Sequence, residues 1–368
     1  MSDMEYVKLG NIAKFRYGKM PDKDKFLDDG YPVFSGYRIT GYYREYMVEN
    51  PTLIVVARGV GGTGDVKISP PKSYITNLSI IVDLDESVAD MRYLYYQFVC
   101  NNLRYLDTGA AQSQITINNL SKHKALLPRL VIQKKISSIL TNYDNLIENN
   151  NKRIKLLEQM AENLYKEWFV RFRFPGYECV TFNAKIPSGW QYQTILELMN
   201  FYNSQRIPLS SMQRDKMDKI YPYYGAAKLM DYVDDYLFDG EYLLLGEDGT
   251  VITPDGFPVL QMINGKFWVN NHAHVISGKG NLSTRFLYLT FLRFPITGVV
   301  TGSAQPKISK GRLEKLKILV PDEKTIEGFN ALINPIFDEI NLLKTQLLLL
   351  TKQRDLLLPR LMSGKLEV

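Results

Sequence analysis

The chain has 368 residues, of which 45% are hydrophobic and 23% are charged. This length and composition are typical of about two or three domains with sizeable cores. The 45 Lys and Arg residues exceed the 39 Asp and Glu residues, for a net charge of +6, which excludes a polybasic tail but not a groove of local positive potential that binds nucleic acid.

The first part of the chain, residues 1–127, contains short apolar runs separated by Gly and Pro. Residues 52–57 and 79–82 predict strands, and residues 91–103 predict a helix. Residues 178–320 repeat this scheme, with predicted strands at 242–245, 267–269 and 274–276 and a predicted helix at 285–292. Strands with scattered helices indicate a mixed α/β or α+β fold class.

A long amphipathic segment follows each of these regions, after Pro128 and after Pro321. Apolar residues in both segments alternate in spacings of three and four, which is typical of a coiled-coil seam. The seam residues are Ile147, Ile154, Leu157 and Leu164 in the first segment and Ile340, Leu343, Leu347, Leu350 and Leu357 in the second. Two ordinary helices on local cores are the alternative, but 25 to 35 residues exceed the usual helix of about 11–12 residues, so we favour helices that pack on each other.

The chain is an internal repeat. Tyr31-Pro32-Val33-Phe34 matches Tyr221-Pro222-Tyr223-Tyr224, and residues 108–116 (TGAAQSQIT) match residues 301–309 (TGSAQPKIS). Both spacings are about 190 residues, which is too long for a solenoid and indicates a duplicated domain-sized unit. We therefore divide the chain into a domain at 1–128, a long helix at 129–172, a second domain at 173–321 and a second long helix at 322–368. Asp322, Glu323 and Lys324 are interpreted as the cap of that last helix.

Segments at the ends of the long helices resemble those of a known family. Residues 127–136 (LPRLVIQKKI), 162–170 (ENLYKEWFV) and 358–366 (LPRLMSGKL) are similar to segments of the specificity (S) subunits of type I restriction-modification systems. The TGxAQ block is similar to a segment of that family's target recognition domains. Together with the duplication, the resemblance covers essentially the whole chain.

This resemblance implies two homologous target recognition domains, each reading one half of a split DNA sequence, separated by two long antiparallel spacer helices. It also implies two adenine-N6 DNA methyltransferase subunits as partners and up to two restriction subunits, with S-adenosylmethionine, ATP and Mg bound by those partners and no cofactor bound by this chain. A helix of about 34 residues is roughly 50 Å long. Such a length suits half-sites about 34–36 Å apart, and fused copies that differ predict an asymmetric target.

No complete catalytic pattern is found in the sequence. Amino-methyltransferases need an (Asn/Asp/Ser)-Pro-Pro-(Tyr/Phe) loop to hold the flipped base, and the nearest string, Ser69-Pro70-Pro71-Lys72, ends in Lys. The Gly-rich residues 58–64 lack the Gly-Lys-Ser/Thr of a P-loop, so a turn is favoured over a nucleotide cradle, and contact with DNA phosphate is left open. His272 and His274 without further ligands favour a structural or DNA-facing role over a metal site. We expect a non-catalytic chain.

Candidate DNA contacts were selected by residue type and by their expected position in loops. Gln can read adenine and Arg can read guanine, whereas Lys mostly meets phosphate. The candidates are Arg38, Arg44, Arg58, Lys67, Gln112 and Gln114 in the first domain and Arg206, Lys228, Gln305 and Lys307 in the second. A solvated surface charge or a turn former is the alternative for each, and Gln112 and Gln305 are equally consistent with a structural role because both copies keep them.

Two cysteines, Cys100 and Cys179, cannot form a disulfide framework and indicate a reducing compartment. Neither a leader nor an apolar run of membrane-spanning length is found, so we expect a cytoplasmic protein. A coiled-coil scaffold that binds proteins without reading DNA is the alternative function, and sequence-selective, salt-dependent DNA binding would distinguish the two.

Overall fold

The computed structural model describes residues 4–36, 38–59, 62–108, 113–302 and 305–368. The chain divides into a first unit of residues 1–150 with 346–368 and a second unit of residues 151–345. This division cuts both long helices, so it does not test the predicted domain boundaries at residues 128, 172 and 321, which stay a prediction.

Short strands and a few helices build the first unit. Its elements are β1 Glu5–Lys8, β2 Ala13–Tyr17, β3 Tyr31–Ser35, β4 Arg38–Tyr43, β5 Leu53–Val56, β6 Val66–Ile68, β7 Tyr74–Ile75, β8 Ser79–Leu84, α1 Met91–Cys100, α2 Ile117–Lys122, β9 Lys124–Leu127 and the start of α3 Leu130–Tyr165. The strands form sheets in the orders β2-β8-β5-β6, β4-β3-β7 and β1-β9. Every residue of β5 is buried, as expected for the unbroken apolar run Leu-Ile-Val-Val in a central strand.

The core of the first unit lies between the central sheet and helix α1. Leu53 and Ile80 of the sheet are fully buried beside Tyr93 and Leu94 of α1. Asp90 caps α1 by accepting a hydrogen bond from the backbone N–H of Tyr93 at 2.8 Å. The helix was predicted to end at residue 103 but ends at Cys100. Asn101 and Asn102 follow Cys100, and Asn is a poor helix former.

The second unit has the larger sheet. Its elements are β10 Phe182–Asn183, β11 Ile186–Pro187, β12 Gln191–Thr194, α4 Ile195–Leu198, β13 Met199–Phe201, α5 Ser211–Arg214, β14 Tyr221–Tyr224, β15 Leu229–Val233, β16 Phe238–Gly246, β17 Leu260–Val269, β18 Ala273–Gly278, α6 Thr284–Phe291, β19 Val300–Thr301, β20 Lys307–Ile308, α7 Lys310–Leu313, β21 Lys317–Val320 and most of α8 Glu323–Met362. The main sheet has the order β13-β18-β16-β17-β14-β15, and β12 pairs with β21. All the predicted strands and the predicted helix of this region are present.

Strand register confirms the repeat. In the first unit, β3 pairs with β7 in parallel, with Val33 opposite Tyr74. In the second unit, β14 pairs with β17 in parallel, with Tyr223 opposite Trp268. A register shift follows Val33 in one copy and Tyr223 in the other. The matching Tyr-Pro segments therefore occupy the same place in two copies of one fold.

The long helices α3 and α8 contribute to both units. α3 continues as one turn of π-helix over Lys166–Val170, and Asp322 caps α8 by accepting from the backbone N–H of Thr325 at 3.0 Å, as predicted. All the predicted seam residues are buried or half-buried. Several apolar residues on the same helices are at least half exposed: Leu146, Leu156, Met160, Leu342, Leu348, Leu349 and Leu356.

Within the described ranges, none of the helices has both the length and the apolar character needed to cross a membrane. Cys100 is half-buried against the core of the first unit, Cys179 is exposed, and both thiols are free.

Candidate nucleic-acid interface

A pair of loops in the first unit is fixed by backbone hydrogen bonds. Ala57, directly after β5, donates its N–H to Leu78 O at 2.8 Å and accepts from the N–H of Ile115 at 2.9 Å. Arg58 and Gln114 form a β-bridge next to these bonds. The segment that begins at Arg58 lies between β5 and β6, as predicted, although Val60 and Gly61 of this segment lie outside the described residues. Gly64 is required there, because its φ is +89° and a Cβ would lie 2.6 Å from the backbone N of Arg104.

Arg58 is exposed and is oriented by an aromatic ring. Its guanidinium carbon lies 6.0 Å from the ring centroid of Tyr17, within the range of a cation–π contact. The Tyr17 hydroxyl accepts a hydrogen bond from the backbone N–H of Ile117 at 3.3 Å, which holds the ring. Gln114 is half-buried, and its N–H donates to Asp107 Oδ1 at 2.7 Å. Two predicted contacts, Arg58 and Gln114, are therefore brought together.

The other candidates of the first unit are more dispersed. Arg38 is exposed at the start of β4, and Arg44 is exposed directly after it. Lys67 is half-buried inside β6, opposite Ile54. Arg38 and Lys67 thus lie on strands and not in loops as expected, because the sequence does not show where each strand begins. Gln112 lies outside the described residues.

The second unit contains the same pattern of two backbone hydrogen bonds and an adjacent β-bridge, which we call the loop frame. Glu247, directly after β16, donates its N–H to His272 O at 2.8 Å and accepts from the N–H of Ile308 at 2.8 Å. Asp248 and Lys307 form the corresponding β-bridge. Arg58 and Asp248 are therefore equivalent positions, as are Gln114 and Lys307. The backbone is repeated, whereas the side chains have different charges.

Polar side chains surround Asp248. The amide nitrogen Nε2 of Gln305 donates to Asp248 Oδ1 at 2.9 Å, and His272 Nδ1 lies 3.8 Å from Asp248 Oδ2. Gln305 and Lys307 are exposed. Sequence reasoning selected Gln305 and Lys307 and gave His272 a structural or DNA-facing role, but it did not select Asp248 as a contact. The repeat had paired the Gly-rich residues 58–64 with the acidic residues 246–250, which contain Asp248.

Arg206, a predicted DNA contact, is engaged inside the second unit. One guanidinium nitrogen donates to Glu247 Oε2 and to Ala273 O, both at 2.6 Å, and Nε donates to Asn203 O at 2.9 Å. The two charged side chains are 11% and 16% exposed. This geometry is that of a structural ion pair that holds the loop of Glu247 and Asp248, and it gives no support to a phosphate contact at Arg206.

His274 is a buried structural histidine. Its Nε2 lies 2.8 Å from Ile308 O, and its Nδ1 lies 2.8 Å from Asn203 Nδ2. Asn203 Oδ1 accepts from the N–H of Val275, so its Nδ2 must be the donor to His274. Nε2 therefore carries the proton of a neutral ring, and burial lowers the pKa of His274 accordingly. In the described ranges, no group of His, Cys, Asp and Glu side chains is arranged to hold a metal ion.

Lys228, the remaining candidate, is exposed in the turn between β14 and β15. Its backbone O accepts from the N–H of Gly225 at 3.0 Å, which closes that turn. The turn belongs to the same sheet as β16, from which the loop of Asp248 extends.

Comparison with known proteins decides the family. The family described as "Type I restriction modification DNA specificity domain" matches residues 1–159 and again residues 187–348. The chain belongs to this family. The predicted family is thereby confirmed, each matched stretch contains one copy of the TGxAQ block, and the duplicated unit is the family's domain.

Members of the family with similar sequences include two specificity subunits. The type I restriction enzyme MjaIX specificity subunit of Methanocaldococcus jannaschii is 27% identical over 300 residues, which cover 75% of this chain and 69% of that one. The EcoprrI specificity subunit of Escherichia coli is 23% identical over 360 residues, which cover 90% of this chain and 83% of that one. The crystal structure of a type I restriction-modification S subunit from M. genitalium matches 98% of this chain and 96% of its own, with a TM-score of 0.75 and 17% identity, and therefore has the same fold.

Proposed function

We propose that this chain is the sequence-specific DNA-binding subunit of a type I restriction-modification complex. The observation that carries the proposal is that both halves of the chain match the DNA specificity domain. The repeated loop frame supports it, because the two copies have the same backbone hydrogen bonds but present different side chains. A coiled-coil scaffold without DNA readout is not favoured, since it would not account for this match.

Each recognition domain reads one half of a bipartite target. Two homologous domains in one chain resemble a dimeric reader of two half-sites. Because the copies have diverged at equivalent positions such as Arg58 and Asp248, the half-sites need not be palindromic. This divergence supports an asymmetric target.

The long helices pair as an antiparallel coiled coil that sets the gap between the half-sites. Supporting contacts exist within each unit. In the first unit, Asp144 contacts Arg354 and Asn150 contacts Gln346. Residue numbers along α8 therefore decrease as those along α3 increase, as in an antiparallel pair. In the second unit, Arg153 contacts Glu339 and Trp168 lies against Phe329, in the same order.

The chain itself is non-catalytic and recruits enzymes. Two adenine-N6 methyltransferase subunits bind first, and up to two restriction subunits then join. These partners hold the S-adenosylmethionine, ATP and Mg, and this chain holds no cofactor. The exposed apolar side chains along α3 and α8, such as Leu156 and Leu348, suit helices that bury their outer faces against partner subunits. The complex works in the cytoplasm, where its DNA is.

Mapping of N6-methyladenine in cells with and without this gene tests the proposal. We expect one motif, with two specified half-sites and an unspecified gap, to be modified only when the gene and its methyltransferase partner are both present. Modification that does not depend on this gene would contradict a role in recognition. Purified complex should also bind that motif with a steep salt dependence, whereas the scaffold alternative predicts no preference among sequences.

A further inference from the structure

The two loop frames hold side chains of opposite hydrogen-bonding character at one equivalent position. Arg58 follows the residue that bonds Leu78 O and Ile115 N, and Asp248 follows the residue that bonds His272 O and Ile308 N. Each forms a β-bridge to its copy of the TGxAQ loop. An arginine offers only donors and a carboxylate offers only acceptors. A base edge that offers acceptors to Arg58 therefore cannot form the corresponding hydrogen bonds with Asp248, which needs a donor.

Both side chains contact a neighbouring side chain in this structure. The ring of Tyr17 lies beside the Arg58 guanidinium. Gln305 donates to one oxygen of Asp248, whose side chain is 24% exposed. Since an ionised carboxylate has about four acceptor sites, Asp248 retains acceptor capacity after this bond. The hydrogen bond from Gln305 orients Asp248 for recognition of a base edge, and its carboxylate would repel phosphate.

We propose that Arg58 and Asp248 are specificity-determining residues for the two different half-sites. Arg58 reads a guanine through its O6 and N7 acceptors, and Asp248 accepts a hydrogen bond from the exocyclic amino group of a cytosine. This inference rests on the proposed function and deepens it, because it assigns a base class to one position in each half of the target.

Methylation motifs of single variants test the assignment. We expect Arg58→Ala to remove one guanine requirement from one half-site and Asp248→Ala to remove one cytosine requirement from the other, with the remaining half unchanged in each case. Arg92→Ala and Asp234→Ala serve as matched controls, because both residues are exposed and Asp234 lies at the end of β15 away from Lys228. The control variants should keep the full wild-type motif.

Variants that no longer direct methylation are tested by competition binding. The purified complex of each variant is measured against duplexes that carry all four bases at every specified position. We expect discrimination at one position to fall by about 10- to 100-fold. Asp248→Asn, which keeps an acceptor for Gln305 and adds a donor, should shift the preference toward adenine.

The outcomes separate this inference from the function on which it rests. A wild-type chain that directs no motif at all contradicts the proposed function. A wild-type motif that persists unchanged in both variants, or variants that keep the wild-type base ratios in competition, overturns only the assignment of Arg58 and Asp248. A second half-site without cytosine on either strand overturns the assignment of Asp248.

Discussion

Arg354 on α8 donates from its guanidinium to Asp144 Oδ1 on α3 at 2.8 Å, within the first unit. The Tyr96 hydroxyl donates to Asp144 Oδ2 at 2.6 Å, which ties the same carboxylate to α1. The repeat offset of 193 places Phe337 and Ala161 at the equivalent positions of the other copy, and neither side chain is polar. This ion pair is therefore a difference between the two otherwise homologous helix pairings.

We expect Arg354→Met and Asp144→Asn each to destabilise the first unit by about 1–2 kcal/mol. The side chains are 28% and 33% exposed, so the effect lies between that of a surface pair and that of a fully buried pair. Thermal unfolding measures the loss as a shift of a few degrees. A double-mutant cycle with both substitutions should show coupling of at least about 0.5 kcal/mol, and strictly additive effects would contradict a direct interaction.

The buried pair of Arg206 and Glu247 should matter more. Arg206→Ala leaves the Glu247 carboxylate without its partner in a largely enclosed place, and we expect a loss of about 3 kcal/mol in the stability of the second unit. Chemical denaturation measures this loss. Arg171→Ala, which removes an exposed helical pair with Glu167, is the control and should cost less than about 0.5 kcal/mol. A loss of stability in Arg206→Ala no larger than that of the control would show that Arg206 has no structural role.

His274 gives the second unit a predictable pH dependence. Burial lowers its pKa, although Glu247 opposes this shift, while Arg206 and Lys307 reinforce it. An unfolded histidine titrates near about 6.5, so below that pH the unfolded chain binds a proton that the folded chain does not. Stability should therefore fall as the pH drops from about 7.5 to 5.5.

Melting temperatures across that pH range test the role of His274. His274→Gln removes the titrating ring and should show a smaller decrease on acidification than the wild-type chain. His272→Gln is the matched control, because it makes the same substitution at an exposed position of the same unit. His123 is also partly buried with a lowered pKa, so some decrease will remain in every variant. Parallel curves for wild type and His274→Gln would refute the prediction.

The length of the spacer helices should set the gap in the target. Insertion of about four residues in each helix, after Asn151 in α3 and after Thr345 in α8, lengthens each by about 6 Å. At about 3.4 Å per base pair, the unspecified gap should grow by about two base pairs while both half-sites stay the same. Methylation mapping measures the gap, and an unchanged gap in an active variant would exclude this role of the helices.

Local pattern predicted much of this architecture. Alternation in spacings of three and four predicted two long amphipathic helices, and α3 and α8 are present there, with Ile154 and Leu343 buried. The apolar run of residues 52–57 identified a central strand, β5. These predictions succeeded because the periods of helices and strands are fixed by backbone geometry and appear in consecutive residues. The repeat was visible because both copies keep the same turn-forming blocks.

The partner of each polar side chain was decided only by the tertiary structure. Arg206 was selected as a DNA contact, yet it pairs with Glu247, 41 residues away, because the sheet brings the end of β16 beside it. Asp248 was passed over, yet Gln305, 57 residues away, orients it within a frame equivalent to that of Arg58. A charge in a sequence shows what a residue can donate or accept. Which group it meets depends on strand order and register, and these follow from packing over the whole domain rather than from neighbouring residues.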